Sequence, residues 1–136
     1  MKERDLGLLA LRPDIDTQPA SGVAAYLHET LRPVLKLQND TLLTLVAADV
    51  SKRVRGFEGF APADQRRKLL ELLRRDSRLK RVVLGVVFGM LTAEELAFAL
   101  AHESEVRRRI VTLVAERVAS QTEEVARRVG AEAGAV

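Results

Sequence analysis

Residues 79–91 are LKRVVLGVVFGML, and no charged side chain occurs between Val82 and Leu91. Valine favours β-strands, but no second β-rich segment is present to pair with this one. We therefore predict a central helix that is apolar nearly all round and covered on every side. Gly85 and Gly89 are four residues apart, so they share one face of this helix and are expected to let a second helix approach closely.

Before this run, the spacing of apolar residues predicts three helices. The first begins at Ser21, a suitable cap residue, and stops before Pro33, because a proline disfavours the helical conformation of the residue in front of it. The second is capped by Asn39 or Asp40 and ends at Gly56, and the third begins at Pro62.

The helix that begins at Asn39 has an apolar stripe, made of Leu43, Val46, Val50 and Val54. Asp49, Lys52 and Arg53 lie off this stripe. Helical spacing therefore predicts that the stripe is buried and that the three charged side chains are not part of it.

After the apolar run, Thr92 and Glu95 have the spacing of a capping box, in which each side chain bonds to the backbone of the other residue. A further helix is predicted from Ser104 to Val129, with Gly130 as its end. Such a helix would be about 39 Å long at about 1.5 Å per residue, so its end is expected to project from a compact domain.

Together these elements predict an all-α fold: a single-domain helical bundle of about five to six helices with a long C-terminal helix. Residues 1–22 are interpreted as an N-terminal arm and linker because they combine a short leucine-rich patch with glycines and prolines. Residues 23–129 form the predicted helical domain, and residues 130–136 a frayed tail.

The composition predicts a soluble cytoplasmic protein. The chain of 136 residues is 47% hydrophobic and 30% charged, and it contains no cysteine, which excludes disulfides and thiolate metal sites. Its beginning, MKERDLGLLALRPDID, lacks the uninterrupted apolar core of a secretory signal. The run from Val82 to Leu91 is about half of the roughly 20 residues that cross a bilayer.

The sequence indicates no catalytic residue, no metal and no cofactor. His28 and His102 are isolated and do not form a His-Glu-x-x-His pair. Glu94 and Glu95 are adjacent, so on a helix they point about 100° apart and cannot face each other as an acid and a base. Neither a nucleophile elbow nor a glycine-rich phosphate loop is present. We interpret the protein as a non-enzyme.

Positive charge is concentrated between residues 52 and 81, which hold eleven of the 22 Lys and Arg residues against four acids. This segment carries about +7 and the remainder about −4, although the whole chain carries +3. Such a segment can neutralise the phosphates of DNA or RNA, and it can equally be a solvated helix face. The candidate anion-binding or partner-binding residues are Arg66, Arg67, Arg74, Arg75, Arg78, Lys80 and Arg81.

Residues 91–113, LTAEELAFALAHESEVRRRIVTL, resemble the first two helices of helix-turn-helix DNA-binding domains, which commonly open with Leu-Thr-x-x-Glu-Leu-Ala. The resemblance implies that Arg107 and Arg108 lie on the second helix of the motif. The segment departs from the pattern because its turn is one residue short and lacks the usual glycine.

The predicted last helix carries a second apolar stripe toward its end. Val118, Val125 and Val129 continue at helical spacing, and a second copy of the chain could cover them. These three valines are the candidate self-association residues.

Two classes of function follow from these observations. The first is a non-enzymatic protein-interaction domain, adaptor or regulatory, that binds a protein partner and forms a homodimer. The alternative is a nucleic-acid-binding protein that uses the basic segment 52–81, with a degenerate helix-turn-helix at 91–113 as a second contact.

Overall fold

The computed structural model describes residues 2–14 and 21–134, and these are 85% helical without a strand. The prediction of an all-α fold is confirmed. The described residues form eight helices instead of the predicted five to six. Most of the predicted linker, residues 15–20, and the last two residues of the predicted tail lie outside the described part.

The helices follow one another with short connections. They are α1 (Glu3–Leu11), α2 (Gly22–Tyr26, a π-helical turn Leu27–Leu31, and Arg32–Leu37), α3 (Asn39–Arg53), α4 (Pro62–Arg75), α5 (Ser77–Phe88), α6 (Ala93–Ala101), α7 (Glu103–Ala119) and α8 (Thr122–Gly134). A 3₁₀ turn, Phe57–Gly59, lies between α3 and α4.

The helices cluster into two compact units. Unit 1 contains Met1–Asn39 and Leu84–Ile110, and unit 2 contains Asp40–Val83 and Val111–Val136. The large buried side chains of unit 1 include Leu31, Val34, Leu35, Leu84, Val87, Leu91, Val106 and Ile110. Those of unit 2 include Leu42, Leu43, Val46, Val50, Phe57, Leu69, Leu73, Val83 and Val114. The predicted division into arm, domain and tail stays a prediction.

Helix α2 continues past Pro33, so the prediction that it stops there is wrong. A proline inside an α-helix lacks an N–H group, and its ring meets the carbonyl group four residues earlier, here that of Glu29. The π-helical turn widens the helix just before the proline, and the Arg32 N–H bonds to the Leu27 carbonyl five residues back. The wider turn relieves the clash with the proline ring.

Helix α5 is buried along a stripe and not on every side. Leu79, Val83 and Val87 are buried at a spacing of four residues, whereas Val82 and Gly85 are exposed. A Cβ atom added at Gly85 would meet nothing within 4 Å, and one at Gly89 would meet only carbonyl groups of its own helix. The predicted close approach of another helix at these glycines is therefore wrong.

The predicted helix from Asn39 to Gly56 is confirmed in its core, but it ends at Arg53, three residues before Gly56. All four residues of its stripe are buried, and Gly56 has a φ of 76°, a left-handed conformation that glycine adopts without strain. Asp49 is buried as well, at 8% exposure, although the helical pattern placed it off the stripe.

The predicted last helix is divided into α7 and α8. Ser120 Oγ donates to the Arg117 carbonyl over 2.7 Å, and Thr122 Oγ1 donates to the Ala119 carbonyl over 2.6 Å. These hydroxyl groups bond to carbonyl groups at the end of α7, in place of backbone N–H groups of a continuing helix. Helix α8 then continues through Gly130 to Gly134.

The break in the last helix changes the surroundings of the candidate self-association residues. Val118, Val125 and Val129 are all buried in unit 2, with 1% exposure or less. They contribute to the core of one chain and do not form an exposed seam. Self-association stays a prediction, but these valines no longer support it.

Within the described ranges, no helix combines the length and the apolar character needed to cross a membrane.

Candidate functional site

All seven candidate cations of the basic segment lie on α4 and α5, in unit 2. We call them the basic surface. Six of them are exposed, and Lys80 is half-buried. Their positions are therefore consistent with contact to a partner. The seven side chains differ in the hydrogen bonds and ion pairs that they form with neighbouring groups.

Four members of the basic surface bond to nearby acceptors: Arg66, Arg67, Arg78 and Arg81, whose Nε donates to the Ser77 carbonyl over 3.4 Å. Arg66 donates to the carbonyl group of Ala119 over 3.1 Å, which places its guanidinium at the negative end of α7. Arg67 pairs with Asp64 over 2.8 Å, and both side chains are largely exposed. Exposed pairs of this kind contribute little free energy, so Arg67 remains available to another anion.

Arg78 belongs to an ion network that we define as Asp49, Arg53, Asp76 and Arg78. Asp49 Oδ1 accepts from Arg78 Nη1 over 3.3 Å, and Asp49 Oδ2 lies 3.8 Å from Arg53 Nη1. Arg53 also bonds to Asp76 Oδ2, while Asp76 Oδ1 accepts from the backbone N–H of Leu79 over 2.8 Å. The network thus alternates acids and arginines at the junction of α4 and α5.

Asp49 is the buried member of the ion network. Its Oδ2 atom is shielded from solvent and receives no hydrogen bond from any residue that the structure describes. A buried carboxylate with only part of its hydrogen-bonding capacity satisfied depends strongly on the cations that remain near it. Arg53 and Arg78 are those cations.

Arg74, Arg75 and Lys80 differ from the rest of the basic surface. Within residues 2–14 and 21–134 no group forms a hydrogen bond or an ion pair with them. Arg74 and Arg75 occupy the last turn of α4, where the helix dipole favours a cation, but Lys80 follows the start of α5, where it does not. Three cations within seven residues therefore have no acid of their own.

Unit 2 also contains two clefts. The larger, of about 590 Å³, lies between the start of α4 and the junction of α7 and α8, and it is lined by small residues together with Arg66 and Glu123. The smaller, of about 150 Å³, lies beside the ion network and includes Asp49, Lys52 and Arg78 in its wall.

Unit 1 contains a polar cluster at the start of α6. Arg12 binds Glu95 through two hydrogen bonds of 2.6 and 2.5 Å, and its second nitrogen also donates to the carbonyl of Met90. Thr92 and Glu95 form the predicted capping box, which is confirmed. The Glu95 carboxylate is thereby engaged by Arg12, by the Thr92 backbone and, over 3.4 Å, by the Thr30 hydroxyl.

The pKa values in this cluster follow from these contacts. Burial alone would raise the pKa of Glu95, but the hydrogen bonds from Arg12 and Thr92 outweigh it and hold the pKa below its ordinary value. Burial, reinforced by the Glu95 charge, raises the pKa of Tyr26 to about 12. Tyr26 therefore stays protonated and donates to the Glu95 carbonyl over 3.1 Å. The charged Glu95 is held in place and is not free to act on a substrate.

The charges of α1 hold it against the same region. Asp5 is buried and accepts from the backbone N–H of Ala93, and Arg4 donates to the carbonyl groups of Gly89 and Leu91. An acid thus meets the positive start of α6 and a base meets carbonyls near the end of α5. Three of the four leucines of the same helix are exposed, Leu6 by 56%, Leu9 by 38% and Leu11 by 60%, whereas Leu8 is half-buried.

A cleft of about 320 Å³ lies beside this cluster, and its wall includes Leu9, Tyr26 and Phe98. Tyr26 stacks on Phe98 with ring centroids 4.7 Å apart, and Phe98 stacks on His102 at 4.3 Å. His102 is thus held by packing and by a polar contact: its ring packs on Phe98, and its Nδ1 lies 3.1 Å from the Phe98 carbonyl.

The segment that resembles a helix-turn-helix has a different connection from the motif. A single residue, His102, separates α6 from α7, whereas the motif uses a turn of about three to four residues. Arg107 pairs with Glu103 on the same helix. The short turn noted in the sequence is thus a property of the fold, and it leaves the resemblance without its characteristic geometry.

Within the described part of the chain, no three His, Cys, Asp or Glu residues are grouped so that they could hold a metal ion.

Comparison of the chain with protein-family models, with curated proteins and with solved structures finds no match.

The ion network and the Arg12–Glu95 pair could not be identified from the sequence. Asp49 and Arg78 are 29 residues apart, and Arg12 and Glu95 are 83 apart, so no local pattern joins them. The one available signal was the spacing of four residues between Asp49 and Arg53, which allows an ion pair on a helix.

Proposed function

We propose that this protein is a non-enzymatic helical binding protein whose basic surface contacts the phosphates of a nucleic acid. The observation that carries the proposal is the set of three cations, Arg74, Arg75 and Lys80, that no described residue engages. Like charges in so short a segment repel one another, and an external polyanion would relieve that repulsion. Binding would be sequence-independent in its main part and would weaken with salt.

A charge-reversal experiment tests this proposal. The triple variant Arg74→Glu, Arg75→Glu, Lys80→Glu should weaken binding to fluorescein-labelled DNA on the order of a hundredfold or more at low salt, because several phosphate contacts are lost. It should also flatten the dependence of affinity on salt. Fluorescence anisotropy with single-stranded and double-stranded oligonucleotides measures both quantities.

A matched control separates the basic surface from net charge. The variant Arg107→Glu, Arg108→Glu, Arg109→Glu alters the charge by the same amount on exposed residues of α7 in unit 1. We expect it to retain affinity within a few-fold, since only long-range electrostatics change. Equal losses in both variants, or a wild-type chain that binds no nucleic acid at low salt, would reject the proposal.

A second candidate function is binding of a protein partner, with a second copy of the chain as that partner. The outward-facing leucines of α1 favour it, because Leu6 and Leu11 are both more than half exposed on one short helix. Two copies could cover the same leucines in a symmetric contact.

A further inference from the structure

The arginines of the basic surface differ in whether an acid lies beside them, and Asp49 is the acid beside Arg78. Arg74 and Arg75 have no acid partner among the described residues, whereas Arg78 bonds to Asp49 over 3.3 Å. Arg53 lies 3.8 Å from the same carboxylate and also bonds to Asp76. Both arginines of the ion network therefore already have an anion beside them.

We infer that Asp49 is an internal competitor of phosphate for Arg78, and that it limits the affinity of the basic surface for nucleic acid. The inference rests on the proposed function and adds to it a residue that determines whether Arg78 is available to the polyanion. Asp49 acts on binding through Arg78 and touches no phosphate itself.

The competition is energetic and not steric. The side chain of Arg78 is 68% exposed and that of Arg53 is 40% exposed, so a phosphate can reach both from solvent. Asp49, in contrast, has a side chain that is only 8% exposed. Charges interact more strongly where water is excluded, so the attraction of Asp49 for its arginines is stronger than that of a surface acid.

Transfer of Arg78 to a phosphate would leave Asp49 short of contacts. Its Oδ1 would lose the hydrogen bond from Arg78, and its Oδ2 has no hydrogen bond to begin with. A buried carboxylate that loses a charged partner is strongly destabilised, and this cost is subtracted from the affinity for phosphate. Arg74 and Arg75 bind a phosphate without such a cost.

The first experiment removes the competitor. Asp49→Asn keeps the size of the side chain and removes its charge, which should release Arg78, whereas Arg53 keeps its bond to Asp76. We expect it to raise affinity for a fluorescein-labelled single-stranded 20-mer about tenfold at low salt and to steepen the salt slope by about 0.7 for each added phosphate contact.

Asp64→Asn is the matched control, because it also removes one negative charge from unit 2, here within the basic segment itself. Its partner Arg67 is 76% exposed and already accessible. We expect this control to raise affinity by about twofold or less, with the slope unchanged. An Asp49→Asn variant that gains no more than Asp64→Asn would overturn the inference.

A second pair of variants tests the same idea without altering the buried aspartate. Arg74→Gln and Arg78→Gln each remove one exposed arginine from the basic surface. If Asp49 retains Arg78, Arg74→Gln should weaken binding about threefold to tenfold and Arg78→Gln by less than about twofold. Equal losses would overturn the inference even if Asp49→Asn failed to fold.

The outcomes separate the inference from the proposed function. Binding by the wild-type chain with no difference within either pair of variants would reject the role of Asp49 alone. Binding by Asp49→Asn but not by the wild-type chain would support the competing role of Asp49 and would reject the proposed function for the wild-type chain. Absence of binding by both chains at low salt would reject the proposed function and the inference together.

Discussion

At the scale of single residues, two glycines of this chain have opposite requirements. Gly56 lies in the turn that follows α3 and has a φ of 76°, in the left-handed region that side chains with a Cβ avoid. Gly85 lies within α5 on an exposed face, and a Cβ added there would meet nothing within 4 Å. The sequence identified the role of Gly56 but attributed to Gly85 a packing role that it does not have.

We therefore predict opposite effects of alanine at these positions. Gly85→Ala should raise the free energy of unfolding by about 0.5–1 kcal/mol, because alanine is the better helix former and the site is open. Gly56→Ala should lower it by about 1–2 kcal/mol, the cost of a left-handed residue with a Cβ. Urea denaturation of the two variants measures both values, and a destabilised Gly85→Ala would restore the close-packing interpretation.

Glu95 gives a prediction about pH. Because its pKa is lowered in the folded chain, it contributes stability above its ordinary value of 4.5, and this contribution is lost as the pH falls through the lowered pKa. Glu95→Gln should be less stable than the wild-type chain at neutral pH, and the difference between the two should shrink in acid. Thermal denaturation as a function of pH measures this difference.

Glu124 provides a control for the pH experiment. Its pKa is lowered to about 2 by hydrogen bonds from Arg127 and Arg128, and its side chain is 36% exposed, about twice the 17% of Glu95. Salt screens exposed pairs much more than buried ones. We expect high salt to remove the effect of Glu124→Gln and to leave most of the effect of Glu95→Gln. A Glu95→Gln effect that disappears with salt would mean that the Arg12 contact is solvated.

At the scale of helices, local sequence signals predicted where a helix begins or ends better than apolar periodicity predicted whether a helix is continuous. The capping box of Thr92 and Glu95 depends on residues within one turn, and it is confirmed. The predicted stop at Gly56 is also local, and it lies three residues beyond the observed end of α3. The π-helical turn of α2 depends on the space that the ring of Pro33 requires. The break after Ala119 depends on hydrogen bonds from the hydroxyl groups of Ser120 and Thr122. Apolar periodicity continues through both positions, so it could not reveal them.

The break after Ala119 changes what truncation should do. Removal of residues 120–136 deletes α8, and with it Val125 and Val129, which are buried in unit 2. We predict a loss of cooperative unfolding or a strongly lowered melting temperature, because the deletion removes two buried valines and exposes the apolar side chains that they cover. Circular dichroism during heating tests this. A truncated chain that melts like the full-length chain would show that α8 is dispensable for unit 2.

At the scale of the whole molecule, the basic surface and the exposed leucines of α1 lie in different units. The basic surface and the ion network belong to unit 2, whereas the exposed leucines of α1 belong to unit 1. The concentration of positive charge between residues 52 and 81 is a property of the sequence itself. The sequence could not show which cations are engaged, because their partners Asp49 and Ala119 are distant along the chain.

The leucines of α1 give the prediction for self-association. If two copies pair through α1, the chain should sediment as a dimer at high micromolar concentration, and Leu6→Ser with Leu11→Ser should convert it to a monomer. Both residues are exposed, so the variant should keep its melting temperature. Sedimentation velocity measures the mass. A monomeric wild-type chain at that concentration would remove the second candidate function.

The π-helical turn of α2 has a consequence for the evolution of the gene. A turn closed by a bond five residues back contains one residue more than an α-helical turn, so it is equivalent to the insertion of one codon. Loss of that codon would rotate Tyr26 by about 100° relative to Pro33 and would return the proline ring to a clash with a carbonyl group. The extra residue and the proline are therefore expected to be inherited together, and an alignment of related chains should place a one-residue gap only where position 33 is not proline.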